Sequence, residues 1–182
     1  MSVRPPPPSG QTPPPWFEPP PSFSSAGQPG ELGTRLVAKL IDGVLVAVAL
    51  SAISAVLAFA AFGMGMRSGY GADSLSTLIS TAVVVGYYAF MESTRGQTVG
   101  KMILRLRVKD LEGHNPTTGQ ALRRNVYLAI PLIGVLPLVG SFVAGVASLV
   151  AVIYIALTIN DDKETRRGWH DQFGGTRVVK VR

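Results

Sequence analysis

Polar and apolar positions are strongly segregated along the chain. Three stretches contain no charged residue at all, namely residues 43–66, 74–91 and 125–160. A helix that crosses the ~30 Å hydrocarbon core of a bilayer needs roughly 20 predominantly apolar residues. Soluble cores do not require uncharged runs of this length, because their helices keep a charged outer face. The pattern therefore predicts an all-α transmembrane protein.

Four membrane-spanning helices are expected, at about residues 36–62, 75–91, 121–139 and 142–159. The last two divide the run 125–160, which as one helix would be about 54 Å long at 1.5 Å per residue. Pro131, Pro137 and Gly140 supply the break, near residues 139–141. Three spans, with 125–160 as a single helix, remain the alternative.

Basic residues are concentrated before the first helix, between residues 92 and 124, and after residue 160. Lys and Arg are enriched in cytoplasmic segments of membrane proteins, which places all three segments in the cytoplasm. Only an even number of spans satisfies this condition. The predicted topology is therefore multi-pass in a bacterial plasma membrane, with both termini cytoplasmic.

Two short segments read as β-strands. Residues 104–109 alternate strictly between apolar and basic side chains, and residues 176–182 are β-branched and basic in a similar way. A turn is expected at residues 110–113 and a new helix at Asn115-Pro-Thr-Thr118. We expect the two strands to pair as a small basic β-ribbon on the cytoplasmic face.

The first thirty residues differ from the rest of the chain. Prolines recur from Pro5 to Pro29, and no apolar run typical of a signal peptide is present. Such a composition favours extended polyproline II over a packed core, so residues 1–30 are predicted to form a disordered cytoplasmic tail. Residues 31–182 are predicted to form the transmembrane domain. Whether the tail recruits a protein partner stays open.

The net charge of +6 lies mostly beside the hydrophobic runs, and the chain has no cysteine. Disulfides and cysteine-based zinc sites are thereby excluded. Basic residues at membrane edges favour anionic lipid headgroups as partners, and no aromatic interleaving or recognition helix points to nucleic acid. The predicted headgroup contacts are Lys101, Arg105, Arg107, Lys109 and Arg124.

Three motifs in the same order resemble the RDD family of bacterial membrane proteins. They are Arg35 with Asp42 at the foot of the first helix, the segment from Thr98 to Asp110, and Arg167-Gly-Trp-His-Asp171 followed by Gly175-Thr-Arg-Val-Val179. On this resemblance Arg35, Asp42 and Asp171 are the signature arginine and aspartates. The resemblance covers about residues 32–181 and implies a membrane architecture. It leaves the molecular function undefined, with transport a recurring suggestion.

Asp42 is the strongest candidate for a functional site, because placing an ionisable side chain at the edge of a membrane span costs free energy unless it has a partner or faces a polar cavity. In one interpretation it binds a cation or exchanges a proton, with Glu92 as a second acidic group and Arg35 and Arg123 tuning both. In the other it forms a structural ion pair with Arg35, Lys39 or an arginine of a neighbouring helix, such as Arg123.

The dipeptide His170-Asp171 is a weak signal of a metal site or a hydrolase site. A metal site needs three or four converging ligands, so no metal and no cofactor is expected here. Asp171 is expected to hold a nearby arginine or to cap the segment before the last strand. His170 can change charge near neutral pH.

Residues 96–102 lack the spacing of a nucleotide-binding loop. No nucleophile with a base is evident, so an enzyme is not expected.

Two functional hypotheses follow. The first is transport of ions or small solutes, which four spans would support best as a homo-oligomer. The row Gly43, Ala47, Ser51 and Ala55 offers small residues for such a contact, or for packing within one chain. The second is a non-transporting scaffold or accessory protein that recruits a partner through its Pro-rich tail.

Overall fold

The computed structural model describes residues 27–63 and 69–181. Two long antiparallel helices come first, and a first set of short elements follows them. A 3₁₀ segment and a third long helix come next, and a second set of short elements ends the chain. The elements in chain order are α1 (Leu32–Gly63), α2 (Tyr70–Arg95), α3 (Val99–Ile103), β1 (Leu106–Asp110), α4 (Thr118–Arg124), a 3₁₀ segment (Val126–Val135), α5 (Gly140–Asp161), α6 (Trp169–Phe173) and β2 (Thr176–Lys180).

Three helices, α1, α2 and α5, are long and apolar enough to cross a membrane, with mean hydropathies of 2.6, 1.5 and 2.5. Only 6, 17 and 11% of the residues in these apolar windows are buried within the chain. In α1 every residue beyond Val46 is exposed, apart from Leu50 and Ala61, which are partly covered. Apolar helices with outward-facing Val, Leu and Phe require a lipid environment. The predicted helical membrane protein is confirmed at this level.

The third predicted span, residues 121–139, is not a single long helix. The chain leaves α4 at Arg124 and continues as a ten-residue 3₁₀ segment that contains Pro131. At ~2.0 Å per residue, that segment is about 20 Å long. Proline cannot donate a backbone hydrogen bond, which explains why an α-helix does not continue through this stretch. The predicted break is confirmed, since α5 begins at Gly140.

The 3₁₀ segment runs between the two ends of the helical layer. At its start, the Asn125 side chain contacts Glu92 near the end of α2. At its end, the hydroxyl of Tyr70, the first residue of α2, donates a hydrogen bond to the Val135 carbonyl. The segment packs against both α2 and α5. The chain therefore passes from one end of the layer to the other before α5 returns.

The predicted β-ribbon is confirmed as a two-stranded antiparallel sheet. Val108 lies opposite Val178, and Leu106 lies opposite Lys180. Leu106, Val108 and Val178 are fully buried and pack with Ala38 of α1 in a small apolar core. The alternation of apolar and basic residues thus places one face of the sheet on the first helix, as expected for a half-buried strand pair.

Residues 27–30 belong to the structured unit, although they were assigned to the tail. The Gly27 N–H donates to the Lys180 carbonyl at 2.8 Å, and the Gly30 N–H donates to the Val178 carbonyl at 2.9 Å. The Lys180 N–H in turn donates to the Gln28 carbonyl at 2.8 Å, so the segment pairs with both donors and acceptors at the otherwise open edge of β2. The rest of the predicted tail lies outside the described residues.

Candidate functional site

Six ionisable side chains from five helices meet at the end of the layer that also holds the sheet. Each of them is buried, with at most 9% of its surface exposed. We call this group the ionic cluster, and its members are Arg35, Asp42, Glu92, Lys101, Arg124 and Asp171. Lone charges are strongly disfavoured in such surroundings, so the pairing of each member defines the site.

Asp42 is held by neutral donors. The Gly100 N–H donates to Oδ1 at 2.7 Å and the Tyr87 hydroxyl donates to the same oxygen at 3.0 Å. The Thr98 hydroxyl donates to Oδ2 at 2.5 Å. Within the described residues no basic nitrogen lies within 4.0 Å of this carboxylate. The carboxylate of α1 therefore holds the start of α3.

The ion pair predicted between Asp42 and Arg35, Lys39 or Arg123 is wrong. Arg35 Nη1 lies 2.6 Å from Asp171 Oδ2, and Arg35 Nε donates to the Gly30 carbonyl at 2.9 Å. Two residues of one helix that are seven positions apart lie about 10 Å apart along its axis. Arg35 reaches a partner on α6 instead, so two of the three signature residues form one buried pair.

Asp171 binds a second arginine through its other oxygen. Arg124 Nη1 lies 2.9 Å from Asp171 Oδ1, and the Gly168 N–H donates to Oδ2 at 3.3 Å. Asp171 thus contacts two arginines and closes the first turn of α6. Both roles that the sequence predicted for this carboxylate, holding a nearby arginine and capping the segment before the last strand, are present together.

Glu92 is the centre of a second set of contacts. Its Oε1 pairs with the Lys101 ammonium, and its Oε2 lies 3.4 Å from Arg124 Nε. The Asn125 amide donates to Oε2 at 2.9 Å. Arg124 therefore bridges Glu92 of α2 and Asp171 of α6, and every charged contact of Glu92 goes to a segment outside the three long helices.

Lys101 and Arg124 were predicted to contact lipid headgroups, but both side chains are buried within the protein. Their exposed fractions are 7% and 3%, because both side chains turn inward to Glu92. Arg105 and Arg123 are exposed, and Arg107 and Lys109 are partly exposed. Headgroup contact remains a prediction for Arg105, Arg107 and Lys109. Arg123 lies on the surface and forms no ion pair within the described residues.

Burial and charge set the ionisation of the groups outside the long helices. Burial lowers the pKa of Lys101 to about 8, although the neighbouring Glu92 opposes this effect. Burial lowers the pKa of His170 to about 3, against the attraction of Asp171. For Asp171, burial alone would raise the pKa, but Arg124, His170 and Arg35 hold it well below its usual range. At neutral pH the site holds a neutral imidazole beside a carboxylate anion.

Lys39 lies beside the ionic cluster and was not singled out by the sequence as a separate feature. Its ammonium is 3.4 Å from the centroid of the Tyr88 ring and 5.4 Å from that of Tyr127. Both rings therefore provide cation–π contacts. Tyr88 stands one helical turn before Glu92, and that spacing could have indicated an aromatic partner for a nearby cation.

Two cavities lie between α2, the 3₁₀ segment and α5. The one nearer the ionic cluster, called the inner cavity, has a volume of about 300 Å³ and a mainly apolar lining in which three hydroxyl side chains lie. Its lining residues are Leu50, Val84, Tyr127, Leu128, Pro131, Val152, Ser80, Thr81 and Ser148. The outer cavity has a volume of about 270 Å³ and includes Tyr70, Asp73, Thr77, Gly134 and Ser141. Neither cavity is lined by Asp42, Glu92 or Asp171. The ionic cluster and the cavities are thus separate features.

One surface turn brings possible metal ligands together. Asp110, Glu112 and His114 place three ligand atoms within 4.8 Å of one another. The turn is explained without an ion, since the His114 N–H donates to Asp110 Oδ1 at 2.8 Å and the Glu112 side chain is 82% exposed.

The chain belongs to the RDD family, whose sequence profile matches residues 29–175. This match includes every member of the ionic cluster and both sets of cavity-lining residues. No curated protein and no solved structure matches the chain.

Proposed function

We propose that this member of the RDD family crosses the bacterial plasma membrane four times and transports ions or small solutes. The helices α1, α2 and α5 would supply three of the crossings. The additional, fourth crossing, which comes third in chain order, is the stretch from α4 through the 3₁₀ segment, and it leads from the ionic cluster to the Tyr70 end of α2. Four crossings place residues 27 and 181 on the same side, in accord with the hydrogen bonds between residues 27–30 and β2.

The distribution of charge supports a cytoplasmic position for the ionic cluster. At the opposite end, over residues 56–63, 69–80 and 131–145, Asp73 is the one charged residue among those described. The cluster end holds the basic residues of β1, α4, the segment after α5, and β2. Because positively charged segments stay in the cytoplasm, the sheet and the short helices would lie on the inner face.

The inner cavity is the observation that carries the transport proposal. Pro131 has no N–H, so the 3₁₀ hydrogen bond to the Leu128 carbonyl cannot form, and both residues line this cavity. At membrane depth, a backbone group without its helical partner is tolerated where it faces protein or a water-filled cavity. Interrupted helices of this kind are a feature of solute sites in transporters.

We assign a structural task to the ionic cluster. Its carboxylates join α1 and α2 to α3, α4 and α6, and none of them lines a cavity. Removing one member of a buried ion pair leaves an uncompensated charge, which is strongly destabilising. The signature residues would then fix the inner-face elements on the helices, while the solute moves elsewhere.

The scaffold hypothesis is the second candidate. Residues 27–30 pair with the edge of β2, so the Pro-rich residues before them would leave the molecule beside the surface sheet. A partner bound there would lie next to the anionic headgroups that Arg105 and Lys109 are expected to contact. Each basic residue near an anionic leaflet contributes ~1 kcal/mol of attraction.

Flux through proteoliposomes tests the transport proposal. We would compare wild type, Ser80→Leu, which fills the inner cavity, and Ser76→Leu, which places the same side chain on an exposed position of α2. Sodium, proton and uncharged-solute gradients would each be applied. Transport predicts flux in wild type and Ser76→Leu and its loss in Ser80→Leu.

A chain lacking residues 1–26 separates the two candidates. Normal flux from this truncated chain, together with a lost cellular phenotype, would identify the tail as a recruiting segment. No flux of any solute from folded, inserted wild type would contradict transport and leave the scaffold hypothesis.

A further inference from the structure

We infer that the two cavities form one route for a small, uncharged, hydrogen-bond-donating solute of the size and chemistry of a short polyol. This inference rests on the proposed transport function and specifies its substrate class. It is carried by the order of the cavities, the hydroxyl side chains among their lining residues, and the charges near the two ends.

The cavities lie in series along the same three elements. On α2, Thr77 lines the outer cavity, while Ser80 and Thr81, three and four residues later, line the inner one. On the 3₁₀ segment, Gly134 lines the outer cavity and Pro131 the inner one. Residues three or four apart share a helix face, so the two cavities are about one turn apart on one continuous side of α2.

The hydroxyl groups along this side of α2 offer acceptors. The Thr77 hydroxyl donates to the Asp73 carbonyl at 2.9 Å, and the Ser80 hydroxyl donates to the Thr77 carbonyl at 3.1 Å. A hydroxyl that has used its hydrogen still carries two lone pairs. A solute with O–H or N–H donors would satisfy these groups.

The charge at the inner end opposes cations. Tyr127 lines the inner cavity, and the Lys39 ammonium, which does not line it, lies 5.4 Å from the Tyr127 ring centroid. Beyond it, the ionic cluster contributes three cations and three carboxylates among the described residues, so Lys39 leaves a surplus of one positive charge. Charge interactions are strong where water is scarce. A cation reaching Tyr127 would therefore meet net repulsion.

The outer end disfavours anions, because Asp73 is the one charged side chain among the described residues that line the outer cavity. Among the described residues, the walls of the inner cavity carry no charge: they are mainly apolar, and the hydroxyl groups of Ser80, Thr81 and Ser148 lie among the apolar side chains. An inner cavity of about 300 Å³ equals ~10 times the ≈30 Å³ that a water molecule occupies in the liquid. A solute with three to five carbons and several hydroxyls has a suitable size.

Stopped-flow swelling of proteoliposomes in glycerol and erythritol is the test, with potassium and chloride flux measured on the same vesicles. For wild type we expect solute entry at least five-fold faster than in protein-free vesicles, with no ion flux above background. Ser80→Leu should reduce entry to background, and Ser76→Leu should match wild type. Tyr127→Ala, which removes the largest side chain lining the inner cavity, should speed entry.

The possible outcomes distinguish a failure of the polyol inference from a failure of the transport proposal. Ion flux without polyol entry would overturn the inference and leave transport standing. The absence of flux for every solute would overturn both. If Ser80→Leu does not fold, as judged by gel filtration and circular dichroism, the result from Tyr127→Ala decides: unchanged or slower polyol entry contradicts the inference.

Discussion

Asp171 joins parts of the chain that are far apart in sequence, since it contacts Arg35 of α1 and Arg124 of α4. Its substitution by asparagine would leave the buried Arg35 guanidinium without its counter-charge and Arg124 with Glu92 alone. We expect Asp171→Asn to lower the free energy of unfolding by about 3–5 kcal/mol, as for other broken buried pairs. Thermal unfolding in a mild detergent would measure this effect.

The matched control is Asp161→Asn, at an exposed position that ends α5. Substitutions at exposed positions usually change stability by no more than about 0.5 kcal/mol. Equal melting temperatures for Asp171→Asn and wild type would show that the buried pairs contribute nothing to the fold, against the structural task assigned to them.

His170 gives the protein an acid sensitivity with a defined direction. Its pKa is about 3 in the fold, because of burial, against an ordinary value of 6.5. Between these values the unfolded chain binds a proton that the folded chain does not, so stability falls as the pH drops below about 6.5. From pH 6.5 to 5 this contribution is roughly 1–2 kcal/mol.

The variant His170→Gln tests this contribution, because glutamine cannot titrate. Its melting temperature should change less than that of wild type between pH 6.5 and 5. In that range Asp171 adds no comparable effect, since its pKa is lowered from 3.8 and its own stabilisation is lost only at more acidic pH. Identical pH profiles for variant and wild type would contradict a buried neutral His170.

At the residue scale, the sequence indicated which residues matter but not how they pair. Arg35, Asp42, Glu92 and Asp171 were all singled out, and all four are members of the ionic cluster. Their partners include Thr98, Lys101 and Arg124, which lie in or next to other helices than the carboxylates they contact. Spacing along one helix predicts which residues share its face, whereas contacts between helices depend on packing that local sequence does not encode.

At the scale of elements, α3 packs closely on α1 at Gly100. A Cβ at this position would overlap with the Ala38 carbonyl oxygen, which belongs to backbone and cannot turn away. We expect Gly100→Ala to lower stability by about 1–3 kcal/mol, as overpacked substitutions do. It should also weaken the hydrogen bond from the Gly100 N–H to Asp42.

Gly43→Ala is the control, because a Cβ there meets no atom within 4 Å. Alanine also favours helix, so this variant should be as stable as wild type or slightly more stable. Thermal unfolding of the two variants side by side makes the comparison. If Gly100→Ala has the same melting temperature as wild type, the close approach of α3 to α1 is incorrect.

The register of the sheet can be tested by a disulfide, since the chain contains no cysteine. Lys109 lies opposite Arg177, and paired residues of antiparallel strands have Cα atoms about 4.5–5.5 Å apart, within the range of a disulfide. The pair Lys109→Cys with Arg177→Cys should form a cross-link under mild oxidation. Arg107→Cys with Arg177→Cys, two residues out of register, should form little. The reverse result would mean that the register is shifted.

The elements were predictable where their pattern is local and long. α1, α2 and α5 follow from uncharged runs, and β1 and β2 follow from alternation. The helices α3 and α6 have five residues each, too few for a helical period to be visible. The 3₁₀ segment was expected as a helical span, because hydropathy identifies a membrane segment without specifying which kind of helix it forms.

At the scale of the whole molecule, the two ends of the helical layer differ in kind. One end holds the ionic cluster, the sheet and most of the charge, while the other holds the outer cavity and Asp73. The segment between Arg124 and Gly140 is the only connection from the first end to the second after α2 in the part of the chain that the structure describes. The proposed route has two open ends only if this segment crosses the membrane.

Cysteine accessibility tests that crossing most directly. Single cysteines would replace Gly69, Leu138 and Glu112, which are all exposed, and a membrane-impermeant maleimide would be applied to intact spheroplasts and to inside-out vesicles. Four crossings predict that Gly69→Cys and Leu138→Cys react in spheroplasts, whereas Glu112→Cys reacts only in inside-out vesicles. Reaction of Leu138→Cys together with Glu112→Cys from the cytoplasmic side would contradict the fourth crossing and the route that depends on it.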